Sequence, residues 1–333
     1  MGSFLGHTCA GTVILIFASW NLLCAIRAYL AAPHAYVARA WHPVPIRGHW
    51  VRLVVYVLVC GAFAQLMEGL LLGLLSAFEH RFEVIQFEHA LLFAVFVTIG
   101  LIFYVHDTTS LLPLPPGSLH ILYAIGFFSE AILTTFHSIS HKGLEPRFHL
   151  FQALAGLICF LLALLVAAFP SCFLLDAMFL SGFLFQGLWL WTMSLFLYGV
   201  LHLPGCRNVD YKMVKCETEA EEHLGVALAG ILFIAVLVFT MLLALALYAR
   251  AARNAPRSSI DYILALSPNL KASQKEAASG NIEGGIDVNG EKNVLGEGTA
   301  AVAATAGPKV PLTHAVVNLE NESAALLGGQ VEM

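Results

Sequence analysis

The stretch Gly126–Gln152, GFFSEAILTTFHSISHKGLEPRFHLFQ, decides how the chain is read. It opens and closes in apolar sequence, breaks once around His141-Lys142-Gly143, and carries Glu130, His137, His141, His149 and Gln152. Apolar runs of membrane-spanning length lie on both sides of the break. The stretch therefore predicts the end of one transmembrane helix, a tight turn, and the start of an antiparallel neighbour. Ionisable groups inside a bilayer are costly and usually face a protein interior or a wet cavity, which makes each of them a functional candidate.

The rest of the sequence fits that reading. Of 333 residues, 59% are hydrophobic and 12% charged, with a mean hydropathy of +0.78. A soluble domain carries roughly 25% charged residues, so the composition is that of a polytopic membrane protein. The net charge is −5 and no basic patch exists, which excludes a nucleic-acid partner. The seven cysteines stand singly, with no spacing that suggests a zinc knuckle or a redox pair. Cys206 and Cys216 share one loop and would bridge if that loop is lumenal. Met1–His7 lacks a positive n-region and the run from Val13 lacks an A-x-A site, so no cleaved signal peptide is expected.

Apolar windows of about 20 residues predict seven spans, near 5–30, 50–76, 84–106, 119–140, 147–169, 172–200 and 222–250. The fold class expected is all-α: a seven-helix transmembrane bundle over residues 1–253, with 254–333 as a disordered cytosolic tail. The tail is rich in Gly, Ala, Asn, Glu and Ser and nearly free of aromatics, so it cannot bury enough apolar surface to order itself. The flank after the first span carries Arg27, Arg39, Arg47 and Arg52, and the flank before it has no Lys or Arg. The positive-inside rule then puts the N-terminus in the lumen or outside and the C-terminus in the cytosol.

Alternate helices run in opposite directions, so residues early in odd spans and late in even spans share one depth. His7, His89, His149 and His223 are early in odd spans, and Glu68 and His137 are late in even ones. Glu130 precedes His137 by seven residues, on the same face and about 10 Å deeper. With Gln152 and Gln186 these residues form an expected buried polar layer in the outer half of the membrane. Two readings compete. Imidazoles and a carboxylate converge on zinc or another divalent metal or handle protons, with His89, His137 and His149 as ligands and Glu130 as general base. In the other, the same groups hydrogen-bond across helices in a paired core. No HExxH, GxSxG or P-loop occurs. Trp189 and Trp191 read as packing residues, and Ser181, Gly182 and Gly187 as marks of close helix contact.

Several short motifs occur in order: Gly6-His7 four residues before Gly11, Phe87-Glu88-His89, the Glu130…His137…His149 series, and Gln186-Gly187 with Trp189 and Trp191. Together they resemble the transmembrane protein 45 family, whose plant members are described as viral-response proteins, over about residues 1–250. His141 and the Cys206/Cys216 pair fall outside the shared pattern. The resemblance implies a seven-helix protein of the endomembrane system or cell surface, linked in some members to defence, and implies no known reaction. The function expected is a non-enzymatic membrane component of trafficking, defence or signalling. The alternatives are an intramembrane metal-dependent hydrolase and a proton- or metal-coupled transporter.

Near the end of the chain, Glu322, Leu326 and Leu327 fit an acidic dileucine pattern, an extended peptide of the kind a clathrin adaptor reads on a cytosolic tail. Leu326→Ala with Leu327→Ala is expected to move a fluorescent fusion from endosomal or vacuolar membranes to the plasma membrane. An unchanged distribution would remove the sorting role. Asn321 in Asn-Glu-Ser is a formal glycosylation sequon that a cytosolic tail leaves unmodified.

Overall fold

The computed structural model describes residues 4–46, 49–51, 53–78, 84–140, 143–198, 200–209 and 213–260. The chain divides into two units, Met1–Ala277 and Ala278–Met333, and all described residues belong to the first. The sequon at Asn321, the sorting motif at Glu322, Leu326 and Leu327, and His141 lie outside the described residues.

The described chain is mostly helical. It runs through α1 (Phe4–Ala31), α2 (Leu53–Phe78), α3 (Val84–Thr108), α4 (Ser118–Ser140), α5 (Glu145–Ala168), α6 (Phe173–Leu197) and α7 (Glu219–Ala252). Six of these, all but α2, are long and apolar enough to cross a membrane and fit an integral multi-pass membrane protein. Helices are what such a sequence must form, because lipid offers no partner to an unpaired backbone group. Two antiparallel hairpins join them: β1 (Val44–Ile46) with β2 (His49–Val51), and β3 (Cys206–Val209) with β4 (Met213–Cys216).

The ends of the helices follow from local chemistry. Leu112–Gly117 cannot continue a helix through its three prolines, and Gly117 turns the chain at φ +84° into α4. Gly143 does the same at φ +78° between α4 and α5. Pro146 sits in the first turn of α5, where its missing N–H costs nothing. The helix therefore starts at Glu145, two residues earlier than the apolar run suggests. Thr218 and Glu221 form a reciprocal capping box at the start of α7.

A close backbone approach joins α1 and α6. A Cβ on Gly11 would stand 2.9 Å from the Gly187 carbonyl oxygen, and one on Gly187 would stand 3.0 Å from the Gly11 oxygen and 2.8 Å from Leu15. Absent side chains let the two helices touch, as small residues do throughout membrane bundles. Trp191, one turn on, closes the seam by donating its indole N–H to Thr12 Oγ1 at 3.1 Å. Trp189 is fully buried and donates to the Phe148 carbonyl at 3.2 Å, which ties α6 to α5.

At one end of the bundle the loop after α1 packs beneath the helices. Tyr36 donates to Asp176 of α6, Tyr123 of α4 donates to the Ala40 carbonyl at 2.9 Å, and the His42 N–H donates to Asn21 Oδ1 at 2.7 Å. Burial first, and the Arg39 charge second, push His42 down to about 4, so this ring stays neutral at physiological pH. At the other end Cys206 and Cys216 are joined in a disulfide across β3 and β4. That hairpin contacts the start of α7, and its Cys206 and Val214 share one buried cluster with Leu203, Leu144 and Phe148 beside the start of α5.

Gly187→Leu is expected to lower stability by about 1–3 kcal/mol, the usual cost of overpacking. Thermal melts in detergent would show it as a lower midpoint. Gly230→Ala, where the nearest atom to an added Cβ is 3.9 Å away, serves as the tolerated control.

Candidate metal centre

Four helix ends bring polar side chains together. His7 comes from the first turn of α1, Glu88 and His89 from the start of α3, His137 from the last turn of α4, and Glu145 and His149 from the first turns of α5. His7, His137, Glu145 and His149 are buried, whereas Glu88 and His89 are half-buried. The imidazoles stand in a row. Ring centroids are 4.9 Å apart for His89 and His137, 4.6 Å for His137 and His149, and 5.9 Å for His149 and His7.

Both central histidines have their Nδ1 engaged. Glu88 Oε2 lies 3.0 Å from His137 Nδ1, and the Glu145 carbonyl oxygen lies 3.0 Å from His149 Nδ1. A carbonyl oxygen only accepts, so His149 carries its proton on Nδ1 and, when neutral, presents a lone pair on Nε2. A carboxylate at His137 Nδ1 favours the same tautomer. These are the two commonest supports of a metal-bound histidine, a carboxylate and a backbone carbonyl. His137, Glu145 and His149 each offer a ligand atom, all within 4.8 Å of one another. Two imidazoles and one carboxylate form a donor set found in catalytic zinc sites, which keep a further position for water or substrate.

One layer deeper, Gln152 donates through Nε2 to Glu130 Oε1 at 2.6 Å and to Gln186 Oε1. All three are buried, and the network joins α4, α5 and α6. His7, Glu88, His89, Glu130, His137, His149, Gln152 and Gln186 line one cavity of about 350 Å³. Below Glu130 its walls are apolar and aromatic, with Phe17, Ile99, Phe103, Phe127 and Phe183, and it reaches Tyr123 and Trp41.

The structure departs from the sequence reading at several residues. His223 is 79% exposed through its side chain, because the first turns of α7 stand clear of the bundle, and it faces Glu219 at 3.8 Å. Glu68 is exposed on α2. His89 lies edge-on to His137, outside the tight group, whose third member is Glu145. Glu130 is held by Gln152 away from that group, so the carboxylates beside the histidines are Glu88 and Glu145. Glu145 was hidden by Pro146, which reads as a loop residue until it is recognised as the opening of a helix.

The match to known families covers the second half of this bundle. A model described as "Family of unknown function (DUF716)" matches residues 116–249, which run from the start of α4 into α7. The matched region contains Glu130, His137, Glu145, His149, Gln152 and Gln186, while His7, Glu88 and His89 lie before it. No curated protein matches the chain.

Proposed function

We propose that this chain is a multi-pass membrane metalloprotein in which His137, Glu145 and His149 hold a divalent cation, zinc by the chemistry of the set, for hydrolytic chemistry on a ligand within the bilayer. The observation that carries the reading is the grouping of three buried ligand atoms within 4.8 Å, two of them on imidazoles whose Nδ1 is engaged. Bound there, a zinc ion would supply an activated water. The chain's own part is to hold both imidazoles by their Nδ1 protons, to keep Glu88 against His137, and to exclude bulk water around the set. Imidazole and carboxylate together suit zinc better than calcium or magnesium, which take oxygen ligands.

A paired scaffold, the role in trafficking, defence or signalling that composition and resemblance suggest, calls for the Glu130–Gln152–Gln186 network alone. It gives no reason for three ligand atoms to converge above that network. A transporter calls for polar groups along the whole path, and the cavity below Glu130 is walled by Phe17, Ile99, Phe103 and Phe127. Both considerations favour the hydrolase reading. The disulfide between Cys206 and Cys216 supports a lumenal or extracellular position for the β3–β4 hairpin, since disulfides persist in oxidising compartments. With α2 as a seventh span, this reading puts the N-terminus on the same side and the tail in the cytosol. His7, Glu88 and His89 line the cavity with the matched α4–α6 residues, which favours extending the family resemblance back over α1 and α3.

Full-length protein purified in detergent is expected to carry stoichiometric zinc by elemental mass spectrometry. His137→Ala with His149→Ala should lose it, and His223→Ala should keep it. Glu88→Gln should weaken zinc binding by about 10–100-fold, the usual effect of removing an outer-shell partner. Wild-type protein that neither contains nor takes up zinc would overturn the reading.

A further inference from the structure

We propose that the substrate of this site is an uncharged single-chain acyl ester of the monoacylglycerol type, with its chain in the cavity beneath the histidines and its ester at His137, Glu145 and His149. The direction of the cavity is fixed by the helices that line it. Its lining residues run from His137 to Tyr123 on α4, from Glu88 to Phe103 on α3 and from Gly6 to Phe17 on α1. Each series starts at the histidine end and descends about 16–22 Å at 1.5 Å per residue. The cavity is therefore a slot parallel to the helix axes, long enough to cross more than half of a hydrocarbon core about 30 Å thick. Its imidazoles and carboxylates are gathered at one end, and the Tyr123 hydroxyl at the other end is turned to the Ala40 carbonyl at 2.9 Å.

An apolar cavity does not hold water, so what fills the lower slot is hydrocarbon. A volume of about 350 Å³ is at the small end of the range of ligand sites, about 300–1,000 Å³, and suits one chain rather than two. Two of the lining residues are exposed, Cys9 on α1 and Ala64 on α2. The cavity thus opens sideways between these two helices, and a chain can enter it from the bilayer. The charges at the polar end decide the class of head. No lysine or arginine is found among the described lining residues, whereas Glu88 and Glu130 are. A phosphate or carboxylate head would meet carboxylates with no basic side chain to offset them. A neutral ester with free hydroxyls can donate to the carboxylates and accept from imidazole N–H groups. In naming a substrate the proposal rests on the hydrolase reading. Water adds its oxygen to the acyl carbon, the acyl C–O bond breaks and the glycerol oxygen takes a proton, so that a fatty acid and glycerol leave. The slot for the chain does not depend on the metal.

The test reads binding rather than turnover, with ether analogues that cannot be hydrolysed and full-length protein in nanodiscs. 1-O-Hexadecylglycerol is expected to bind saturably, one molecule per chain. 1-O-Octylglycerol leaves the lower slot empty and should bind about tenfold or more weaker at equal mole fraction in the bilayer. The 3-phosphate of 1-O-hexadecylglycerol should also bind about tenfold weaker, because its charge is unmatched. Gly100 lines the slot about 18 Å below Glu88 along α3. Gly100→Phe should therefore cancel the preference for the long chain and spare the octyl ligand, and an unchanged preference in the folded variant would overturn the direction of the chain. In wild-type protein, equal binding of both chain lengths, equal binding of the neutral and phosphate ligands, or no saturable binding overturns the proposal whether or not that variant folds. His137→Ala with His149→Ala should keep the preference for chain length, since the lower walls are untouched, and its loss would contradict the slot. Zinc in wild-type protein without a length preference defeats this proposal alone. A length preference in protein that takes up no zinc defeats the hydrolase reading, and the ester as substrate with it, and upholds the slot.

Discussion

Gln152 is the residue on which the interior depends. Its amide nitrogen sits between a carboxylate of α4 and an amide of α6, so three helices are joined by two hydrogen bonds from one side chain. In water such bonds would compete with solvent and contribute little. In an apolar interior each member that lost its partner would carry its desolvation cost alone. The register of α4, α5 and α6 is therefore tied to one polar knot, and His137, Glu145 and His149 are carried on the same helices a turn or two from it.

Apolar packing then divides around that knot. On one side lie Phe17, Tyr123, Phe127, Phe179 and Phe183, with edge-to-face or tilted rings and centroids 4.6–6.3 Å apart. On the other lie Leu144, Phe148, Trp189, Met193 and Phe233. The Gly11–Gly187 contact brings α1 against α6 at the boundary, one turn from His7 and next to Gln186. Thus a steric fact, two missing side chains, determines how near His7 comes to His149.

Much of the helix content was legible in the sequence, because apolar windows and Pro or Gly breaks are strong signals in a chain with so few charges. The expected spans and the observed helices differ by a few residues at most. The depth of the polar residues was legible as well, since antiparallel order alone puts His7, His137 and His149 at one level. Rotation about each helix axis was not. Glu68 and His223 stand at the expected end of their helices but face outward, and only neighbouring side chains decide that. Glu145 was missed because the helix starts two residues before the expected span, and Glu88 because its rotation toward His137 is likewise decided by neighbouring side chains. The pairing of Cys206 with Cys216 stayed conditional on the side of the membrane, and the β3–β4 register brings the two opposite each other.

The β3–β4 hairpin follows α6 in the chain, yet its Cys206 and Val214 share a buried cluster with Leu144 and Phe148 at the start of α5, beside Glu145 and His149 of the candidate group. Synthesis proceeds from the N-terminus, so Glu145 and His149 leave the ribosome before the segment that braces them. On the proposed topology their final setting waits for the hairpin to be made, moved to the lumenal or outer side and oxidised. Under the proposed metal reading, biogenesis and metal supply would thereby be linked: the ion would be drawn from the compartment in which the cysteines join, not from the cytosol where synthesis begins.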